Sequence, residues 1–465
     1  MGWAEEELAG IDLGDKRLNK RAVRMLDCFA GKPTLSIPGA CNGWPETLAA
    51  YRFFEHEEVE WTDILSPHQQ QTQSRMQAHA VVLCIEDTTE LDFNGQQIEG
   101  LGRLSYEAQR GMYLHPTYAV TTERVPLGVL NAWMWARKEK AETGAGEAKP
   151  SAGEEDEAGA VLEADEKESI RWIKGYEGVG ELAKTMGSTR LVYVTDREGD
   201  IMELMVRARE MGNPADWLIR SQHNRVLPAS YEDKLWPTIE AQEPVATIRF
   251  TLRSRRKGKG KATRKAREVY QQLFVKRVEL RDGKGGIVPA TCIVAKESDP
   301  PPGEEAVIWR LLTNREASTP EDVIDLIDWY RARWEIEMFF DVLKNGCRIE
   351  ALQLSTIDRV ERALVLYLIV AWRIAHLMRL GKVCPDMDAR LLFDPEEIQA
   401  TYLLSKKRLP KSVPRLNDVI RLIAQLGGFL GRKSDGEPGV KTLWLGLQRL
   451  VDFIAGMHAA RDIYV

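Results

Sequence analysis

The chain has 465 residues, of which 44% are hydrophobic and 29% charged, and its formal net charge is −6 at pH 7. This composition is typical of a soluble globular protein of two to four domains. The six cysteines form no CxxC pair and the seven histidines no HxxxH or HExxH pattern. These patterns argue against a zinc ribbon, a disulfide scaffold and a metal site built on histidines.

No targeting segment is predicted. The N-terminus lacks a basic segment followed by an apolar run, which a secretory signal requires. The longest apolar stretch, 363–372, is too short for a membrane span and favours a buried helix. We therefore expect a cytoplasmic protein that does not enter a membrane.

The N-terminal part of the chain, 1–70, is predicted to be helical, with amphipathic helices at 15–29 and 45–57. The first helix starts with a basic group. Such a group suits DNA binding, although exposed helices often carry similar charges. The basic residues are Lys16, Arg17, Lys20 and Arg21.

The middle of the chain, 71–380, predicts a mixed α/β core, because strand patterns alternate with helical ones. An acidic insertion, expected to be solvated or disordered, interrupts it at 138–168, and a β-rich insertion with a basic hairpin loop follows at about 218–315. A helical tail is predicted at 394–464, within a C-terminal region 381–465. The core strands are predicted at 81–87, 113–121, 126–136 and 190–196, and the core helices at 169–184, 320–345 and 357–380.

Charge is unevenly distributed along the sequence. The segment 138–168 contains eleven acids and four bases, which leaves the remainder of the chain with a charge of +1. Bases cluster at 15–21, 253–267 and 406–408, and 253–267 contains nine Lys or Arg and no acid. Three such clusters indicate a protein that binds a polyanion.

The predicted helix 320–345 combines a strong start signal with a charged face. Thr319 can cap it, Pro320 suits its first turn, and Asn345-Gly346 can end it. At about 100° per residue, four side chains fall within an arc of about 60°. They are Tyr330, Arg333, Glu337 and Lys344. A carboxylate framed by cations suits phosphate handling, but a solvated helix face gives the same pattern.

Three carboxylates occupy positions that suit a metal site. Asp87 and Asp196 each end an apolar strand, and Glu337 lies in the middle of a helix. Carboxylates from two strands and a helix can hold the two hard cations of a phosphoryl-transfer site. The residues alone leave rival acids open, namely Glu86 and Asp92 for the first, Asp200 for the second and Asp341 for the third.

The signature Tyr330-(x)2-Arg333-(x)3-Glu337-(x)6-Lys344 resembles the YREK motif of the insertion-sequence-four family of bacterial DDE transposases. Further segments are similar to those of the transposon-five-type members. They are GDKRLNKR at 14–21, AYRFF at 50–54, IEDTT at 85–89, EKES at 166–169 and TDREGD at 195–200.

The resemblance implies an RNase H-like mixed-sheet catalytic core with a β-rich insertion, flanked by helical N- and C-terminal domains for DNA-end binding (1–70) and dimerisation (381–465). Asp87, Asp196 and Glu337 are then expected to bind two Mg²⁺ ions, with Mn²⁺ as a substitute. The implied chemistry is cut and paste, with 3′-end nicking, hairpin formation, hairpin opening and strand transfer at transposon inverted ends.

The resemblance also implies roles in DNA binding. Trp309 and Trp334 are expected to stack on a base extruded from the bent DNA end, where Tyr330, Arg333 and Lys344 hold phosphates. Lys16, Arg17, Lys20 and Arg21 are expected to recognise the end. A homodimer on paired ends and on target DNA is implied. The alternatives are a catalytically retired or inhibitory transposase-derived DNA-binding protein and a repair nuclease of the same core fold.

Overall fold

The computed structural model describes residues 2–106, 108–137, 158–228, 234–252, 255–257, 261–264 and 266–464. The chain divides into two compact units. Unit 1 comprises Met1–His79, Asp87–Lys149 and Trp334–Val465, and unit 2 comprises Ala80–Glu86 and Pro150–Arg333.

Helices dominate both ends of the chain, as predicted. Those of the described residues are α1 Trp3–Glu7, α2 Lys16–Gly31, α3 Ile37–Ala40, α4 Trp44–Glu55, α5 Trp61–Met76, α6 Ala158–Ala183, α7 Met202–Glu210, α8 Leu235–Glu240, α9 Pro320–Ala332, α10 Trp334–Asp341, α11 Ile357–Val383, α12 Pro395–Leu404, α13 Leu416–Leu426 and α14 Val440–Tyr464.

Strands occupy the middle of the chain, where the sequence predicted them. Those of the described residues are β1 Val81–Glu86, β2 Thr89–Asp92, β3 Gly102–Arg103, β4 Arg110–Thr121, β5 Pro126–Trp135, β6 Arg190–Thr195, β7 Asp216–Arg220, β8 Ala246–Leu252, β9 Arg255–Lys257, β10 Lys261–Arg264, β11 Arg267–Arg281, β12 Ile287–Glu297 and β13 Ile308–Thr313.

In unit 2, three short strands lie side by side in parallel. β1 pairs with β6 in the register Val82↔Leu191, and β6 pairs with β7 in the register Val192↔Asp216. Their residues are mostly buried, as expected for parallel strands whose sequences are nearly continuous runs of apolar residues. Antiparallel strands continue from β7 through β13, β12 and β11 to β8. The predicted β-rich segment is therefore confirmed, with the short helix α8 inside it.

The basic run of the sequence lies between β8 and β11. β9 and β10 pair antiparallel there, so the predicted hairpin is confirmed by the backbone of 255–257 and 261–264. The linking residues 258–260 lie outside the described part of the chain.

In unit 1, β4 pairs antiparallel with β2, β3 and β5. Helix α11 packs with β5, α2 and α5. Among the described residues it is the one helix long and apolar enough to cross a membrane. Most of it is nevertheless buried in the protein, and Arg362 on it donates to the carbonyls of Val59 and Phe54. It is the buried helix that the sequence predicted.

The predicted continuous helix 320–345 is wrong in one respect, because it is interrupted. Its start is as predicted, since Thr319 and Asp322 form a reciprocal capping box ahead of α9. At Arg333 the N–H donates to the Tyr330 carbonyl, a tighter turn than an α-helix makes. After α10, residues Val342–Gly346 form a π-helical turn, closed by the Cys347 N–H on the Val342 carbonyl at 2.8 Å. A constant 100° per residue therefore does not describe the signature.

The acidic insertion predicted at 138–168 is also corrected in its second half. Residues 138–157 lie outside the described part of the chain. From residue 158 the backbone is already helical, in α6. The Ala and Glu of this stretch are strong helix formers, and this propensity outweighs the net charge that suggested an irregular segment.

Candidate active site

Asp87 directly follows β1, at the point where the chain turns towards β2. Its Oδ1 accepts a hydrogen bond from the Thr88 N–H at 2.8 Å, and its side chain is half-buried. The Thr88 hydroxyl lies 2.9 Å from Nδ1 of the buried His115. The loop that carries Asp87 is therefore held by a core histidine on β4.

The two rivals of Asp87 are engaged elsewhere. Glu86 is 1% exposed, and its Oε2 lies 2.5 Å from the Tyr193 hydroxyl in the interior of unit 2. Asp92 accepts from the Asn94 N–H and from the Gln109 side-chain amide, both at 2.8 Å. Each of these acids has a local structural role.

Asp196 and its rival Asp200 differ in the same way. Asp196 follows β6, is half-buried, and accepts from the Glu198 N–H at 2.8 Å. Asp200 is 2% exposed; its Oδ2 accepts from the N–H groups of Gln222 (2.6 Å) and His223 (2.9 Å), and its Oδ1 lies 2.7 Å from Arg225. Both oxygens of Asp200 are thus used to tie the chain after β7.

Glu337 lies on α10, half-buried between the fully buried Ile336 and Phe339. Two residues earlier, Glu335 connects α10 to α11. Its Oε2 accepts a hydrogen bond from Nε of Arg379 at 2.7 Å, and its Oε1 accepts one from Nη2 of Arg379 at 2.5 Å. Burial raises the pKa of Glu335, and Arg379 opposes that rise. This ion pair holds the element that presents Glu337.

The remaining charged residues of α10 and of the π-helical turn are exposed or partly exposed. Asp341, the rival of Glu337, is exposed and accepts from the Asn345 side-chain amide at 2.7 Å. Lys344 lies on the π-helical turn, with its Nζ 3.6 Å from Glu350. The single amide contact leaves other lone pairs of the Asp341 carboxylate available. The contact of Lys344 with Glu350 is long and partly exposed, so it neutralises the charge of Lys344 only weakly.

Tyr330 and Arg333 are less accessible than the sequence suggested. They are only 4% and 6% exposed. The Arg333 guanidinium carbon lies 6.0 Å from the centre of the Tyr330 ring, and the Tyr330 hydroxyl has no hydrogen-bond partner among the described residues. A buried hydroxyl without a partner costs roughly 1–3 kcal/mol and marks a place where the protein is not at its most stable.

The two tryptophans have different surroundings. Trp309 on β13 is half-buried and stacks on Phe250 of β8, with ring centres 5.1 Å apart and planes inclined by 21°. Arg331 lies over the same Phe250 ring. Trp334 is 61% exposed. The sequence did not predict that Phe250 stacks on Trp309, because the alternation of residues along a strand does not single out one aromatic residue.

The N-terminal bases lie on α2, where the side chain of the N-cap residue Asp15 accepts a hydrogen bond from the Arg17 N–H. Lys16, Arg17 and Lys20 are exposed and Arg21 is half-exposed. Within the described part of the chain, none of these four side chains takes part in an ion pair. Their charges are therefore available to an anion.

No group of three or more His, Cys, Asp or Glu able to hold a metal ion occurs among the described residues. Asp87 and Glu337 belong to unit 1 and Asp196 to unit 2. All three are half-buried carboxylates, and carboxylate oxygens fit Mg²⁺ or Mn²⁺.

Three protein-family models match the chain. They are "Transposase DNA-binding" over residues 1–59, "Transposase DDE domain" over 194–373 and "Transposase Tn5 dimerisation domain" over 369–464. The DDE match includes Asp196 and Glu337.

A solved structure described as a cryo-EM structure of piggyBac transposase synaptic complex with hairpin DNA is also similar. It shares 8% sequence identity, covers 95% of this chain and 76% of its own, and has a TM-score of 0.38. At that level of similarity it does not bear on the function of this chain.

Proposed function

The chain belongs to the transposon-five-type DDE transposases, which are DNA-transposing enzymes with an RNase H-like core, and we propose that it works by cut and paste at transposon inverted ends. The steps proposed are 3′-end nicking, hairpin formation, hairpin opening and strand transfer into target DNA. The family implies dependence on a divalent metal.

The observation that carries this proposal is the accessibility of the three signature acids. Asp87, Asp196 and Glu337 are each half-buried, beside a strand end or on a helix face, whereas the rivals Glu86 and Asp200 are only 1% and 2% exposed. A carboxylate must reach the surface of the protein to share a metal ion with a DNA phosphate.

Asp87, Asp196 and Glu337 are the residues that would hold two Mg²⁺ ions, with Mn²⁺ as a substitute. Such ions supply an activated water or 3′-hydroxyl and stabilise the leaving oxygen of an in-line displacement. His115 positions Asp87 through Thr88, and Arg379 positions Glu337 through Glu335. Lys344 is proposed to hold a backbone phosphate.

Trp334 and Trp309 are proposed to receive a base extruded at the hairpin. Trp334 has the exposure that a stacking platform needs. Trp309 already stacks on Phe250 on one side, which stiffens it for a base on the other. Tyr330 and Arg333 are buried, so we propose that they grip DNA only after end binding uncovers them.

The DNA-binding and dimerisation models support DNA and a second copy of the chain as partners. We propose that α2 recognises the transposon end through Lys16, Arg17, Lys20 and Arg21, which are exposed or half-exposed cations. A homodimer on two paired ends is proposed as the active form.

Replacement of the third acid tests the catalytic proposal. With Mg²⁺ or Mn²⁺ and a duplex bearing the inverted repeats that flank the gene, Glu337→Ala should lower the nicking rate by at least about 100-fold, because metal stabilisation supplies several kcal/mol. The matched control, Asp341→Asn on the same helix, should nick like the wild type.

The products are resolved on denaturing gels, where a hairpin migrates apart from the nicked strand. Equal nicking by wild type and Glu337→Ala would refute the assignment. If the wild type binds these ends and does not cleave them, the chain is the catalytically retired or inhibitory DNA-binding protein instead.

A further inference from the structure

Unit 2 contains a cluster of arginines that the proposed chemistry does not use. Its members come from β6, α7, β11 and the residues just after β13, so they are far apart in the sequence. They surround a pocket of about 200 Å³, here called the arginine pocket. Its polar lining is Arg190, Arg209, Asn213, Asp216, Arg277 and Asn314, and Arg315 lies beside it.

One acid of the pocket is already neutralised. Asp216 is 3% exposed and is clamped by Arg190 through Nε at 2.5 Å and Nη2 at 2.7 Å. Arg315 binds the same carboxylate at 2.8 Å. Two guanidinium groups thus face a single carboxylate, which leaves one positive charge uncompensated.

Arg277 has hydrogen-bond donors to spare. Its Nη1 donates to the Thr291 hydroxyl and the Asn314 carbonyl at 3.0 Å each, with the Arg315 carbonyl at 3.4 Å. A guanidinium carries five N–H donors, so those on Nε and Nη2 have no acceptor among the described residues. Arg277 is exposed, and these donors are therefore open to a ligand.

Arg209 is the fourth cation of the cluster. It donates through Nη1 to the Ile287 carbonyl at 2.7 Å and through Nη2 to Asp282 at 3.3 Å, which leaves its Nε without a protein acceptor in the described structure. With Asp216 and Asp282 as the acids in direct contact with the four arginines, the cluster has a formal charge of +2. Planar guanidinium groups with free N–H donors match the oxygens of a phosphate.

We propose that the arginine pocket binds a backbone phosphate of duplex DNA, apart from the phosphate that reacts. Arg190 opens β6 and Asp196 follows its end, so about six residues of strand separate them, or roughly 20 Å. This spacing equals about six base pairs of duplex at 3.4 Å each. The side chain of Arg190 is 59% exposed, which suits a polymer reaching the pocket from the surface.

The inference rests on the proposed function, because that function brings duplex DNA to this unit. Its test is the salt dependence of binding to a random-sequence duplex of about 40 base pairs, since the slope of log K against log salt counts phosphate contacts at about 0.9 each. In the double variant Arg209→Gln/Arg277→Gln, the magnitude of this negative slope should decrease by about 1. The control Lys276→Gln removes an exposed charge from the neighbouring position of β11 and should keep the wild-type slope.

The outcomes separate the two proposals. Equal slopes for the wild type and the double variant, with the wild type bound, would overturn this inference alone. A wild type that fails to bind any duplex would overturn the proposed function. If thermal unfolding shows that the double variant is not folded, the single variant Arg277→Gln replaces it, because this side chain is exposed. The magnitude of its slope must then decrease for the inference to stand.

Discussion

Two histidines inside unit 1 are kept neutral by burial, and both bind main-chain groups. His376 donates from Nδ1 to the Pro126 carbonyl at 2.7 Å. The Nε2 of His68 accepts from the Val129 N–H at 2.9 Å, so its Nδ1 carries the proton and donates to Glu7 at 2.5 Å. Burial lowers the pKa of both rings, that of His376 to about 4.

These shifts predict loss of stability in mild acid. The unfolded chain takes up a proton on His376 near pH 6.5, whereas the folded chain resists protonation down to about pH 4. Stability linked to this ring is therefore complete above pH 6.5 and is lost as the pH falls towards 4. In His376→Gln, denaturant unfolding measured across this window should depend less on pH than in the wild type; an unchanged pH dependence would contradict the prediction.

Position in the sequence singled out candidate residues but did not choose among them. Asp87 and Asp196 stand out because each follows an apolar strand, but their rivals were left open. The contacts that occupy Glu86 and Asp200 come from Tyr193 and Arg225, which lie far away or across a turn in the sequence. No local pattern announces such partners. The assignment of the three signature acids remains a prediction.

At the scale of elements, α13 and α14 approach so closely that only glycine fits at their crossing. A Cβ on Gly446 would collide with the Ile423 carbonyl oxygen, and one on Gly427 would collide with the Thr442 carbonyl oxygen. Glycine allows such close backbone contact because it has no side chain. Both helices lie within the range matched by the dimerisation model.

Gly446→Ala is therefore expected to destabilise the C-terminal helices by about 3 kcal/mol, since a main-chain carbonyl cannot move aside as a side chain can. The matched control is Gly456→Ala on the same helix, where a Cβ would meet nothing within 4 Å. It should be neutral or stabilising by up to about 1 kcal/mol, because alanine favours helix. Urea unfolding of both variants measures the difference, and equal stabilities would show that the crossing is not tight.

Element starts were easier to predict than interruptions. Thr319, Pro320 and Asp322 form a local pattern that fixes where α9 begins. The tight turn at Arg333 and the π-helical turn at Val342–Gly346 have no comparable signal. They arise where the backbone adapts to the packing of buried residues such as Leu343, which local propensity does not encode.

For the whole molecule, the negative net charge comes from one acidic segment, and the rest of the chain is slightly positive. The net charge is −6, but 138–168 contributes −7. The long-range potential of a protein steers its association with a charged partner. An acidic segment of this kind should oppose approach to DNA wherever it lies within a Debye length of the bound duplex, about 8 Å at 0.15 M salt.

Neutralising the four consecutive acids 154–157 with Gln and Asn should therefore raise the affinity for random-sequence duplex DNA at low salt. The same variant should approach the wild-type affinity as salt increases, because screening removes the repulsion. A titration followed by fluorescence anisotropy at two salt concentrations measures both effects. An affinity gain that does not depend on salt would point to a cause other than charge.

The overall plan was largely predictable, because helical ends, a strand-rich middle and a buried apolar helix each leave a periodic pattern. The division into two units was not. Unit 1 collects three separate stretches and unit 2 collects two. Such long-range association depends on which apolar faces fit together, and a single sequence does not state this.

The interruption of the signature helix changes how related sequences should be compared. The helix has a tight turn before Glu337 and a wide turn after it. If a relative places these turns elsewhere, its chain keeps the same length, but different side chains share a face of the helix. Two relatives with identical motif spacing can therefore present different surfaces to DNA. Alignments of this region should be weighed by main-chain hydrogen-bond pattern, and exchanges of segments between relatives should treat 320–332 and 334–346 as separate cassettes.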